Sequence, residues 1–161
     1  MIMPNCPLLP HPLCQDDYEN YTKFWHAVRD EILHRVVGLT FHRKLIRLQN
    51  PGNYQTIWHI ITKGTTSSHC GRSIDRERAE HVSWISFLLS EKCDPCDSFL
   101  IWRKRHKGAI RWCVYCSKEK YVVILEERGH DELILITAFL VTPQRDRDFQ
   151  KEYNQYVKNG I

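Results

Sequence analysis

Apolar residues recur along this chain in two rhythms. Tyr18, Tyr21, Trp25, Val28, Ile32 and Val36 fall three or four positions apart, which sets them on one face of a helix. Asp16 or Asp17 stands at the place of an N-cap, and Gly38 is a natural stop. "LTFHRKLIRL" (39–48) alternates loosely and runs into the turn "QNPGN". "YQTIWHIITKG" (54–64) is rich in β-branched and aromatic residues and reads as a buried strand. Gln55, Ile57, His59, Ile61 and Lys63 then share one side of it. Beyond the Gly/Ser/Thr-rich loop "KGTTSSHCGRS" (63–73), Ser73 or Asp75 starts a second helix that reaches about Ser90. Val82, Ile85 and Leu89 form its apolar stripe, with Trp84 and Leu88 beside it.

"FLIWRKR" (99–105), "AIRWCVYC" (109–116), "YVVILEE" (121–127) and "ELILITAFLV" (132–141) are separated by the short turns "HKG", "SKEK" and "RGHD". Turns this short join antiparallel neighbours, so the four segments predict a meander. The last segment is apolar on both faces and belongs in the middle of the sheet. Thr142 and Pro143 open a closing helix whose buried stripe is Phe149, Tyr153 and Tyr156. The expected order is helix, two strands, helix, four strands, helix. This is an α+β fold with helices packed on one side of an antiparallel sheet. Residues 1–15 hold four of the seven prolines and predict an extended arm ahead of a single domain spanning 16–161.

Composition narrows the class. A chain of 161 residues, 42 % hydrophobic and 26 % charged, suits a globular protein with a full core. Its apolar runs fall short of the ~20 residues of a membrane span. Its start has no basic segment followed by an apolar core, so no secretory leader is expected. The expectation is a cytoplasmic protein without a membrane partner. A formal charge of +4 is compatible with an anionic partner. Seven cysteines in such a chain point to reduced thiols or metal ligands rather than a disulfide framework.

Four polar residues stand where packing alone favours apolar ones. His59 interrupts the 54–64 segment. Arg78 precedes Val82, Ile85 and Leu89 at helical spacing and so extends a buried stripe. Thr137 is the polar side chain within the run from Leu133 to Val141, on the face of Leu135 and Phe139. Arg111 shares a strand face with Cys113 and Tyr115. Each has a plain structural alternative: a hydrogen-bonded core histidine, a snorkelling arginine, a strand-forming threonine, a solvated strand face. Together they suit phosphodiester chemistry on RNA. Cleavage beside a 2′-hydroxyl needs a base, an acid and fixed positive charge around the phosphate, and no metal. Histidine supplies the base, His⁺ or Lys the acid, and Arg a bidentate clamp. Basic residues interleaved with aromatics, as in "IWRKRHKGAIRWCVY", suit backbone and base contacts.

"TIWHIITKG", "DRERAEHVSWI", "WRKRHKGAIRW", "YVVILEERG", "LILITAFLV" and "RDFQKEYNQY" together resemble the barnase–EndoU–colicin–RelE-like (BECR-type) ribonuclease toxins. The resemblance runs from about Asp16 to Val157. Its most specific pieces are Trp58-His59, Arg78 six residues before Trp84, and Thr137-Ala138. It implies a compact BECR-like nuclease fold and a metal-independent endoribonuclease. The matching positions are His59, Arg78, Arg105, Arg111 and Thr137. His59, Arg78, Arg111 and Thr137 are then the expected catalytic residues, and Lys63, Lys104, Arg105 and Trp84 the expected RNA contacts. Lys63 and His81 depart from the family pattern, which leaves the acid open. A toxin also implies a neutralising immunity or antitoxin protein.

"CDPC" (93–96) and "CVYC" (113–116) have zinc-like spacing, with Cys93, Cys96, Cys113 and Cys116 as four thiolates for one structural Zn²⁺. Such an ion would pin the loop after the second helix to the end of a strand. The alternative is buried, reduced cysteines, because positions three apart on a regular strand point to opposite faces. Two other functions compete with the ribonuclease: a non-catalytic RNA-binding module, zinc-stapled or not, and an interaction protein with a polar core cluster.

Overall fold

A computed structural model describes residues 21–50, 54–63, 73–90 and 97–161. The expected N-terminal arm (1–15), Cys93 and Cys96 lie outside the described residues. Helix α1 is Tyr21–Arg35, followed by strands β1 (Thr40–Phe41) and β2 (Lys44–Arg47). Helix α2 (Gln55–Ile61), the short strands β3 (Thr62–Lys63) and β4 (Ser73–Ile74), and helices α3 (Arg76–Glu80) and α4 (Ser83–Leu89) come next. Strands β5 (Phe99–His106), β6 (Ala109–Cys116), β7 (Tyr121–Arg128) and β8 (Glu132–Leu140) lead into helix α5 (Pro143–Asn159). The fold is mixed α+β, with a six-stranded sheet of order β1-β2-β8-β7-β6-β5 and β3 paired with β4.

The four-strand meander forms as the sequence pattern predicts. Lys107 (φ 48°) and Gly108 (φ 84°) supply the positive φ values of a two-residue turn between the paired His106 and Ala109. The expected single strand at 39–48 is instead a hairpin. His42 (φ 47°) and Arg43 (φ 65°) turn it, in a conformation that side chains adopt at some cost. The His42 ring lies 4.8 Å from that of Trp112, which anchors the turn on the sheet. Strand β2 then pairs with β8 in parallel, so the sheet is mixed rather than wholly antiparallel.

Segment 54–63 corrects the strand expectation more sharply. Gln55–Ile61 is helical, and Ile57, Ile60 and Ile61 are its buried residues. Their spacing of three and one is that of a helix face, not of a strand. Their β-branching suggests a strand, but packing against β8 overrides that local preference. The second helix also breaks in two. At His81 and Val82 the backbone bonds shorten to the i→i−3 pattern, with His81 N–H donating to Arg78 O and Val82 N–H to Ala79 O.

Helices cover both faces of the sheet, not one. Helices α1, α2, α3 and α4 bury Val28, Ile32, Ile57, Ala79, Ile85 and their neighbours against Trp112, Val114, Val123 and Leu135. On the other face Trp102, Cys113, Tyr115, Val122 and Ile124 meet Phe149 of α5. Burying one such phenylalanine contributes about 1.5–3 kcal/mol. Strand β8 does lie inside the sheet, as its two apolar faces require. It carries a bulge: Leu125 pairs with Leu135 and Ile124 with Thr137, so Ile136 is passed over. The bulge separates Thr137 from the face of Leu135 and leaves it with Phe139.

Helix α5 starts where Thr142 accepts a bond from Arg145 N–H at 3.3 Å, and one turn later it is clamped to the sheet. Asp146 accepts from Tyr115 O–H at 2.6 Å, from Lys120 Nζ at 2.9 Å and from Gln150 Nε2 at 3.5 Å. Burial pushes this carboxyl up, but the donors outweigh it and hold it below the usual carboxylate range. A lowered folded-state pKa stabilises the fold above the unfolded value, and the benefit is lost as pH falls through the folded one. Asp146→Asn is expected to cost about 1–3 kcal/mol at pH 7 in urea denaturation. The difference between parent and variant should shrink as pH falls below about 4.

Candidate nucleic-acid interface

The residues singled out by sequence fall into two groups, held by different elements. The first gathers where α2 and α3 meet β8. Asp75 caps α3 by accepting from Arg78 N–H at 3.2 Å. The same carboxylate lies 3.6 Å from Arg78 Nε and 3.9 Å from Lys63 Nζ. Arg78 Nη1 donates to Thr62 O at 2.9 Å, and the guanidinium sits 5.6 Å from the Phe139 ring centre. Arg78 does extend the buried stripe, as its spacing predicts, and it ties α3 to β3. Thr62 is fully buried, so this arginine satisfies a carbonyl that water does not reach.

His59 stands in the last turn of α2, on the exposed face opposite Ile57, Ile60 and Ile61. The apolar enclosure expected around it on a strand is absent. Lys63 is largely exposed. Trp84 is 3 % exposed and packs edge-on against His81 at 4.3 Å and Tyr121 at 5.4 Å, so it fills the core and offers no face to a base. Thr137 is half-buried on β8, beside Phe139.

The second group is the end of the β5–β6 hairpin. Lys104 and Arg111 are direct ladder partners, and Arg111 in turn pairs with Glu126. The three therefore line one row on the α5 face. Arg111 Nε lies 2.9 Å from Glu126 Oε2, and Lys104 Nζ lies 2.8 Å from Glu152 Oε2 of α5. Arg111 shares its face with Cys113 and Tyr115, as expected, but it is paired rather than solvated. On the opposite face Arg103 lies 3.6 Å from Glu127 and 5.2 Å from the Trp112 ring centre. Arg105 and Lys107 are exposed and make no ion pair among the described residues.

His106 ends β5 on the face of Lys104 and Arg111. The Arg111 charge is the largest influence lowering its pKa; slight desolvation, Lys107 and Lys104 act the same way, and Glu126 opposes them. The imidazole is thus held neutral over more of the pH range than a free histidine. Sequence reading missed His106 and Lys107, although both stand inside "WRKRHKGAIRW". Strand alternation across a two-residue turn would have found His106, because it places 104, 106, 109 and 111 on one face. Arg111 and Thr137 do not meet. They lie two strands apart and one same-face position off the row that joins Cys113, Ile124 and Thr137.

Cys113 and Cys116 are buried on opposite faces of β6, one in each core. A single ion therefore takes only one of them from a strand of this geometry. Cys93 and Cys96 lie outside the described residues, among which no group of three His, Cys, Asp or Glu side chains is placed to hold a metal. No helix among the described residues is long and apolar enough to cross a membrane. No protein-family model, curated protein or solved structure matches the chain.

Two outcomes follow from this geometry. Arg78→Ala is expected to lower stability by about 1–3 kcal/mol in urea denaturation, because it removes a charged donor to the buried Thr62 carbonyl and a partner of the Asp75 carboxylate. Burial raises the Cys113 pKa to about 12, so its thiolate is scarce at neutral pH. Native protein treated with N-ethylmaleimide at pH 7.5 (about neutral) should leave the peptide holding Cys113 and Cys116 unlabelled in mass spectrometry. Unfolded protein should label both.

Proposed function

We propose that the protein binds RNA through the end of its β5–β6 hairpin. One observation carries this reading: Arg103, Lys104, Arg105, His106, Lys107 and Arg111 crowd onto two strands and one tight turn, and Arg105 and Lys107 have no acidic partner among the described residues. Phosphates on an extended strand attract such a row, and binding is driven by release of their counterions. Charge on an edge strand also deters pairing with another chain, but that role needs no histidine or turn cation. The choice of RNA over other polyanions rests on the resemblance to ribonuclease toxins. A neutralising protein of the kind that resemblance implies would have to be acidic where it meets this hairpin.

Metal-independent cleavage is the second reading, and His106 favours it. A neutral imidazole among cations is placed to take the 2′-hydroxyl proton as that oxygen attacks phosphorus. The bond to the 5′ oxygen breaks, and an ammonium such as Lys104 returns a proton to it. The products are a 2′,3′-cyclic phosphate and a 5′-hydroxyl. His106, rather than His59, shares a strand face with two of the cations.

Binding is tested by fluorescence anisotropy with a labelled single-stranded RNA over a salt series. Arg105→Ala and Lys107→Ala are each expected to flatten the slope of log K against log salt by about 0.7. An unchanged slope would remove the hairpin from the interface. Cleavage is tested on total RNA in excess chelator, with His106→Gln and His59→Gln in parallel. His106→Gln should lose about 10²-fold or more in rate, the scale of general-base catalysis. His59→Gln should cleave like the parent, and the reverse result would return the chemistry to α2.

A further inference from the structure

Beside the hairpin, on the α5 face, a cleft of about 260 Å³ opens between β5 and the last turns of α5. Trp102, Lys104, Glu152, Gln155 and Tyr156 line it, with Arg103 and Arg105 also at its wall. It is below the size range of pockets for drug-sized ligands and suits one flat ring system. Its chemistry is set by Glu152. Oε2 of that carboxylate accepts from Trp102 Nε1 at 3.2 Å and from Lys104 Nζ at 2.8 Å. Those two donors hold the side chain in place and occupy one oxygen. Oε1 accepts no bond among the described residues, so its two lone-pair directions remain for a ligand.

We infer that this cleft is a base-selecting slot for guanine. The inference rests on the RNA-binding reading above and adds the base that is read. A fixed carboxylate oxygen accepts and never donates, so it selects an edge with adjacent donors. Guanine offers N1–H and N2–H₂ side by side. Adenine and cytosine each place a ring-nitrogen acceptor beside their amino group, and uracil flanks its one N–H with two carbonyls. All three set an acceptor against the carboxylate. Tyr156 supplies an aromatic wall for the ring. Arg105 lines the cleft as well and is exposed, so its guanidinium is the cation nearest to hand for the phosphate of a nucleotide held there. Lys104 belongs to both sites, since it orients Glu152 and lies in the row with Arg111.

Two measurements separate this inference from the reading beneath it. The first follows the Trp102 indole N–H resonance in the intact chain during titration with 5′-GMP, 5′-IMP and 5′-AMP. GMP should shift it at concentrations at least about tenfold below AMP, the discrimination typical of a paired-donor contact. IMP, which lacks the 2-amino group, should fall between them. The second measures affinity for an oligoadenosine and for the same strand with one central guanosine. Both should bind, the guanosine strand about tenfold or more tightly, and Glu152→Gln should erase the difference between the two strands. Equal binding of both strands together with equal GMP and AMP responses would overturn the slot and leave RNA binding standing. Binding of neither strand with a preserved GMP preference would overturn the RNA reading and leave a guanine-nucleotide site.

Discussion

Both faces of the β6–β7 ladder are apolar, and the rest of the architecture answers that constraint. Trp112, Val114 and Cys116 look one way; Cys113 and Tyr115 look the other. A sheet of this kind exposes a core-sized surface unless something covers each side. Four helices cover one face among the described residues, and α5 alone covers the second. The single helix is correspondingly well fastened. Phe149 fills the second core, Asp146 grips Tyr115 and Lys120, and Glu152 reaches Trp102 and Lys104. Loss of any one grip loosens the only cover that this face has among the described residues.

The same constraint organises the cations. A helix that must lie across β5 and β6 brings one of its own carboxylates, Glu152, over their basic end. Lys104 is thereby turned towards Glu152, while Arg111 is held by Glu126 from the next strand. The paired cations are fixed in direction, whereas Arg105 and Lys107 are left to solvent. Fixed and free charges then stand side by side around one histidine. A phosphate approaching such a surface meets oriented donors that need little reorganisation, which is the condition for strong electrostatic stabilisation.

Legibility in the sequence follows locality. The four long strands and α5 were readable to within a residue or two, because a period of two and tight turns are local properties. Strand β8 was readable as central for the same reason. Gln55–Ile61 was misread because β-branching and apolarity suit a strand as well as a short buried helix; the spacing of Ile57, Ile60 and Ile61 carried the answer. The spacing of Arg78 told that it faces inward. It did not tell that its partner is a backbone carbonyl sixteen residues earlier. The bulge at Ile136 had no sequence signal, and it moved Thr137 off the face of Leu135. The cover on the second face was missed because the double-sided apolar pattern was credited to the last strand alone. The hairpin cations were visible as composition, whereas the pairing of Lys104 with Glu152 depends on a helix almost fifty residues away.

The claim on which the functional account turns is that nucleic acid meets the β5–β6 hairpin and not the Asp75–Arg78 cluster. An NMR titration of the labelled protein with a short single-stranded RNA tests it residue by residue. The account predicts chemical-shift changes concentrated in residues 103–111 and the last turns of α5, with Thr62, Asp75 and Arg78 unmoved. Changes centred on His59, Lys63 and Arg78, with a silent hairpin, would contradict it.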